Sequence, residues 1–279
     1  MQDKVVFITG CSSGIGKALA LEFSKNEFKV IATARKKEDI LYLEEKGCHV
    51  EQLDVTNNDE QLRVVKNIFK TFGKIDILIN NAGYGLMAPT IDLQEEEIHQ
   101  QFKTNVYAPL SLIRKVVPSM KENESGIIIN MGSISGIATT PFAGAYCASK
   151  AALHSFSDAL RMELQPFGIE IMAVQPGSIK SNFGEASMKK AASNFSENSW
   201  YKSLESSILK RANGSQIAST PTAVFAKKIV SLVKKGNIPP YLLIGKKSLS
   251  LPLLKKFLPT KLYDSILRKK FGLNSLKSH

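Results

Sequence analysis

The chain has 279 residues, 43% of them hydrophobic and 22% charged, a balance that suits a folded globular core and excludes a disordered chain. The formal net charge is +12, and the segment from Lys246 to His279 holds nine Lys and Arg residues against one acid, Asp264. The basic excess is therefore largely C-terminal, and no zinc-finger spacing, RNP-like pattern or basic zipper accompanies it, so no nucleic-acid partner is expected.

The opening stretch MQDKVVFITG reads as a first strand and not as a signal peptide. No run approaches the roughly 18 apolar residues of a spanning helix. Cys11, Cys48 and Cys147 show neither pairing nor metal-ligand spacing. A cytoplasmic protein without a metal site is expected.

Taken in chain order, short β-rich runs alternate with helical patterns. Lys4 to Thr9, Lys29 to Thr33, Cys48 to Leu53, Ile75 to Asn80, Gly126 to Met131 and Glu170 to Gln175 are predicted strands, and Tyr241 to Ile244 is a plausible last one. Gly14 to Asn26, Asp59 to Phe72, Ala145 to Leu164 and Ala223 to Lys235 carry helical periodicity. Near-continuous apolar strands separated by helices predict a parallel sheet covered on both faces. The fold class is α/β: a doubly wound Rossmann sheet in a single domain spanning 1–279, with ligands beyond the C-terminal strand ends. Residues 181–221 break the rhythm with Phe183, Met188, Phe195, Trp200, Tyr201 and Leu204, and are read as a small helical lid over the substrate. Residues 246–279 form a basic extension.

Three stretches carry chemistry. Thr9-Gly-Cys-Ser-Ser-Gly-Ile-Gly16 joins the first strand to the first helix, a setting in which glycines let the backbone approach a pyrophosphate that the helix amides then meet. The loop names Gly10, Ser12, Ser13, Gly14, Ile15 and Gly16 as cofactor contacts. At the end of the second strand, Ala34 stands where an NAD site would place an acid for the ribose 2′-hydroxyl, and Arg35 follows it. A guanidinium there suits a 2′-phosphate, so NADP(H) is the expected cofactor. In the stretch GAYCASKAAL, Tyr146 and Lys150 lie four residues apart, on one helix face. A tyrosine with an ordinary pKa near 10 is poorly poised as an acid or base at neutral pH, and an adjacent ammonium would lower it.

The glycine loop and the Tyr146/Lys150 pair together resemble the TGxxxGxG and YxxxK motifs of the short-chain dehydrogenase/reductase family. Further marks follow in the family's order: Asn80-Asn81-Ala82-Gly83, Asn105, Ser133 thirteen residues before Tyr146, and Pro176-Gly177. The resemblance covers residues 4 to 181 motif by motif and extends more loosely to about residue 244. It implies Tyr146 as acid/base, Lys150 as its tuner and ribose ligand, Ser133 on the carbonyl oxygen, and Asn105 bending its helix and holding a relay water. It adds Asp54 and Val55 at the adenine, Asn81, Ala82 and Gly83 at the cleft floor, and Pro176, Gly177, Ile179 and Ser181 near the nicotinamide. Ser181 stands where the family ordinarily has threonine, and it keeps the hydroxyl. On its own, Asp54 could equally cap the turn that follows it.

The expected activity is NADPH-dependent carbonyl reduction, or the reverse alcohol oxidation, on a bulky hydrophobic ketone, aldehyde or secondary alcohol. Steroid-, retinoid- or acyl-lipid-like substrates fit the apolar lid and the resemblance. A non-catalytic NADP(H)-binding scaffold is the alternative. No cation stands obviously where it would clamp a small carboxylate. A homodimer or homotetramer is implied. Leu258, Leu262, Ile266 and Phe271 are expected to share a face of the C-terminal helix, which either rests on an anionic membrane surface or seals the cleft or an interface.

Overall fold

The computed structural model describes residues 3–184, 187–188, 198–213 and 219–276. Seven strands form one parallel sheet: β1 (Val5–Ile8), β2 (Lys29–Ala34), β3 (Cys48–Gln52), β4 (Ile77–Asn80), β5 (Gly126–Met131), β6 (Ile169–Pro176) and β7 (Tyr241–Ile244). Their spatial order is β3-β2-β1-β4-β5-β6-β7, so the order reverses between β1 and β4. All seven predicted strands form, with ends that shift by a residue or two.

Side-chain alternation divides the sheet into two cores. Val6 and Ile8 of β1, Ile77 and Ile79 of β4, and Met172 and Val174 of β6 point to one face. There they meet α1 (Gly14–Lys25) and α7 (Thr222–Lys234), through Leu19, Phe23, Phe225 and Ile229. Val5, Phe7, Leu78 and Ile128 point to the other, against α2 (Asn58–Phe72) and α4 (Ala108–Glu122). Strands apolar on both sides can be buried on both sides, which is why they read as continuous hydrophobic runs.

Between α3 (Glu95–Phe102) and α4 the backbone makes a π-helical turn over Lys103–Tyr107. Such one-turn expansions bend a helix, and this one contains Asn105. The helix α5 (Gly144–Leu164) buries Tyr146, Lys150, His154 and Ser157 along one side.

Of the expected lid, α6 (Glu205–Asn213) and the turn before it are described, and Phe195 lies outside the described residues. Trp200 is exposed, whereas Leu204 and Ile208 are buried. The C-terminal segment folds as α8 (Ser250–Phe257) and α9 (Thr260–Lys270). The single face expected for Leu258, Leu262, Ile266 and Phe271 does not form. Leu258 precedes Pro259 and α9, so it is outside the helical register. On α9 the buried positions are Tyr263 and Leu267, with Phe271 one residue beyond, packed on Phe142, Leu204 and Ile208. Leu262 and Ile266, each one position before a buried residue, are left exposed. Among the described residues no helix is long and apolar enough to cross a membrane.

His154 ties α5 to the end of β5: its Nε2 accepts the Ser133 backbone N–H at 3.3 Å. Gly132 and Gly136 leave the room for its ring. Burial, reinforced by the Lys150 charge, lowers its pKa from 6.5 to about 4. A base whose folded pKa is depressed contributes stability that is complete above its unfolded pKa and is lost as pH falls through the folded one. Stability should therefore decline between pH 6.5 and about 4, by about 3 kcal/mol from this group at full extent. The substitution His154→Gln, which gains no proton, should flatten that decline in denaturant melts compared at neutral and acid pH.

Candidate active site

The glycine loop leaves β1 and enters α1. Gly10 and Gly14 have φ of 73° and 57°, the left-handed region that glycine enters without steric cost. A Cβ on Gly16 would run into the Gly10 carbonyl oxygen and the Asn81 side chain, and one on Gly14 would press on Ser181. Ser13 precedes α1 in extended backbone and makes no side-chain cap, so the hydroxyl does not cover the helix's first amides. Ser12 is exposed at the loop tip, and Ile15 packs against the first core.

The loop is fastened to β4 by the residues that follow that strand. Asn81 donates its side-chain amide to the carbonyls of Thr9 at 2.8 Å and Gly10 at 3.0 Å. The backbone amides of Asn81 and Ala82 both reach Thr9 Oγ1 at 3.0 Å. Asn80 instead points into the sheet and donates to Asn130 at 2.9 Å, which donates to Ser157 at 2.9 Å. These bonds fix the floor of a cleft at the sheet's reversal of order, where open α/β sheets bind ligands.

Further along the same edge, Arg35 stands exposed just past β2, and Ala34 is buried. Among the described residues Arg35 has no acidic partner. Asp54 accepts the Thr56 backbone amide and hydroxyl, both at 2.8 Å, so it does cap its own turn; Val55 beside it is buried. On the far side, Pro176 ends β6, and Gly177 bonds to the Ile244 carbonyl at 2.9 Å. Ile179 bridges to Thr220. Ser181 lies against Gly14, across the cleft mouth. A cavity of about 740 Å³ opens beside this contact along the outer side of α1, lined by Gly14, Lys17, Lys180, Ser181 and Met188 among others. Its lining does not include Tyr146.

Tyr146, Lys150, Ser133 and Asn105 converge at the ends of β4 and β5. The Lys150 Nζ donates to the Met131 carbonyl oxygen at 2.6 Å. A Cβ on Gly83 would lie 3.1 Å from Asn105 Oδ1 and 3.6 Å from Lys150 Nζ, which makes this glycine the gap between them. Asn105 accepts the Tyr84 amide at 3.2 Å and donates to the Tyr84 carbonyl at 3.0 Å and Ser149 Oγ at 3.1 Å. The Ser133 hydroxyl lies close enough to the Tyr146 phenol to pull its pKa down and accepts the Ser135 amide at 3.1 Å. Ser135 thus serves Ser133 through its backbone.

The electrostatics differ from the sequence expectation. Burial pushes the Tyr146 phenol up to about 12, against a lowering pull from Ser133 and a further one from Arg211. The Lys150 ammonium is turned to the Met131 carbonyl oxygen. Burial brings Lys150 itself down to about 8. The sequence offered no sign of Arg211, which the turn of α6 returns to this site.

Phe183, beyond β6, meets the same phenol. Phe183 sits 5.5 Å from the Tyr146 ring, centre to centre. Met87, Ala143, Cys147 and Ala212 pack around Tyr146, with Phe183, Met188 and Leu209 against them. The residues present fit a dinucleotide: side-chain-free glycines at the helix entry, a floor laced by Asn81, an unpaired arginine past β2, and a buried phenol with a hydroxyl and an ammonium nearby.

The comparisons with known proteins agree with this geometry. The family described as short chain dehydrogenase matches residues 4–192. The chain is 34% identical over 266 residues to a probable short-chain type dehydrogenase/reductase, VdlC, of Helicobacter pylori, covering 94% of this chain and 95% of that protein. It is 36% identical over 183 residues to a 3-ketodihydrosphingosine reductase of Bacteroides thetaiotaomicron, covering 66% of each. A short-chain dehydrogenase from Streptomyces avermitilis shares the fold with a TM-score of 0.77 at 24% identity, over 98% of this chain and 99% of that one. A glycine loop braced by Asn81 and a buried Tyr146–Lys150 pair on one sheet edge are thus joined to a match along most of the chain, and the protein belongs to the short-chain dehydrogenase/reductase family, as an enzyme that uses a nicotinamide cofactor for oxidation and reduction.

Proposed function

We propose that the protein is an NADPH-dependent carbonyl reductase, or the same reaction run as alcohol oxidation, acting on a bulky hydrophobic ketone, aldehyde or secondary alcohol. The observation that carries the substrate class is the apolar group of Phe183, Met188, Leu209 and Met87 around the Tyr146 phenol. A small polar substrate would leave that surface unfilled, whereas a long or polycyclic one buries it. The relative named as a reductase of 3-ketodihydrosphingosine supports the reading.

The cofactor supplies or accepts the hydride. Gly10, Gly14 and Gly16 admit its pyrophosphate, Asn81, Ala82 and Gly83 shape the floor beneath it, and Arg35 meets the 2′-phosphate with a planar pair of donors. Asp54 and Val55 flank the adenine, while Pro176, Gly177, Ile179 and Ser181 line the nicotinamide end. Tyr146, protonated in the resting site, donates its proton to the oxygen of the carbonyl as that oxygen gains charge. Ser133 holds the same oxygen by a hydrogen bond that strengthens as charge develops. Lys150 offers positive charge and ribose contacts, and Asn105 links the site through Ser149 and the Tyr84 backbone toward a relay water. The enzyme acts in the cytoplasm as a homodimer or homotetramer.

The C-terminal helices support contact with an anionic membrane surface. Leu253, Leu254, Phe257, Leu262 and Ile266 are exposed beside Lys255, Lys256, Lys261, Lys269 and Lys270, while the inner face of α9 closes over Phe142 and Leu204. An apolar surface rimmed by ammonium groups complements lipid tails under anionic headgroups.

Three outcomes test these readings. Tyr146→Phe should lower kcat/KM about a thousandfold, with folding and NADPH affinity retained, in NADPH oxidation against carbonyls graded from small to steroid- or acyl-sized; turnover confined to small members would remove the bulky-substrate reading. Arg35→Ala should cut the preference for NADPH over NADH at least about tenfold, as the loss of a charge-assisted pair implies. Sedimentation with anionic vesicles should pellet the protein, and Lys255→Glu with Lys256→Glu should release it, at about 1 kcal/mol for each charge removed; binding to neutral vesicles only would contradict the electrostatic account.

A further inference from the structure

Arg211 stands on α6 immediately before Ala212, which is buried against Tyr146 and Cys147. Its Nε donates to Thr140 Oγ1 at 3.0 Å, and Thr140 is itself buried. That neutral hydroxyl holds one edge of the guanidinium. Among the described residues no carboxylate pairs with Arg211 and no other hydrogen bond engages its terminal nitrogens. Arg211 is half-buried, and the protein packed around its guanidinium lowers its proton affinity, yet an arginine stays charged.

The groups that feel this charge do not neutralise it. Tyr146 and Cys147 both interact with Arg211 electrostatically, but burial raises the pKa of each, so both are protonated at neutral pH. A partly desolvated cation with no carboxylate beside it among the described residues is costly, and its remaining donors form the planar fork that suits a carboxylate or phosphate. The next residue, Ala212, is buried in the apolar cluster with Tyr146, Met188 and Leu209.

We infer that Arg211 is an oxyanion-binding subsite of the substrate pocket, so that the substrate is an amphiphile: a hydrophobic body with a carboxylate or phosphate that bonds Arg211 while its carbonyl faces Tyr146. This rests on the proposed carbonyl chemistry and narrows its substrate class. It also gives Arg211 two effects on one reaction. Its charge holds the substrate, and the bound anion cancels the pull that Arg211 exerts on the phenol, which keeps Tyr146 a proton donor in the loaded site.

The test uses two readouts on the full-length protein. In the first, calorimetry measures octanoate, octyl phosphate and octanol binding with and without NADP+. Octanoate or octyl phosphate should bind about 30-fold tighter than octanol, the discrimination a charge-assisted hydrogen bond provides. The variant Arg211→Met should erase the difference, while Arg211→Lys should keep part of it. The tighter of the two anions identifies which oxyanion the subsite takes. In the second, NADPH oxidation is followed with oxo-fatty acids and their methyl esters. Arg211→Met should raise KM for the acids about 30-fold and so erase their advantage over the esters, while unchanged NADP+ affinity shows that the variant is folded. Equal binding of octanol and the two anions, or an anion preference that survives Arg211→Met, would overturn the subsite. If neither acid nor ester is reduced by the wild-type protein while the anions still bind through Arg211, the carbonyl reading fails and the subsite stands.

Discussion

A buried ammonium sets the terms for this site. Lys150 is almost fully enclosed, and its Nζ is held by one backbone carbonyl, that of Met131 at the end of β5. A charge so placed is tolerable only while hydrogen bonds hold it, and that requirement fixes the seat of α5 against the sheet. Tyr146 one turn earlier and His154 one turn later are positioned by the same docking, and Ser133 is fixed in turn through its amide on His154. The chemistry at the sheet edge and the packing of α5 are therefore one constraint. Gly83 completes it, since a Cβ there would press on Asn105 Oδ1 at 3.1 Å.

Much of this was legible in the chain. Continuous apolar strands between helical repeats specify a sheet covered on both faces, and the parity of Val5, Val6, Phe7 and Ile8 sends alternate residues to two cores. The stretches Gly10 to Gly16 and Tyr146 to Lys150 announce themselves because each needs particular residue types at fixed local spacing, and the family resemblance adds Asn80 to Gly83. The family resemblance implies a bend at Asn105, and the residue lies in a π-helical turn.

What the chain did not disclose depends on long-range return. Arg211 sits on a polar stretch of α6 whose local pattern points to solvent, and only the path of the lid brings it to the phenol. His154 is a lone histidine in a helix, and nothing near it in sequence reveals that Gly132 and Gly136 make its berth. The burial of Tyr146 is equally invisible in the spacing: it pushes the phenol up to about 12, while the Met131 carbonyl takes the Lys150 ammonium one turn on. The single C-terminal face fails because Leu258 lies before Pro259 and α9, and because Phe271 falls with the buried Tyr263 and Leu267 and not with the exposed Leu262 and Ile266.

The central claim is that this edge transfers a hydride between a nicotinamide and a hydrophobic carbonyl. The most direct measurement is the mass of the alcohol formed when the protein is incubated with NADPH deuterated at the transferred C4 position and a long-chain ketone. The account predicts an alcohol one mass unit heavier than the unlabelled product, with deuterium on the carbinol carbon and formation in step with NADPH oxidation. Formation of unlabelled alcohol, or none from any long-chain or polycyclic ketone while NADPH is bound, would contradict it.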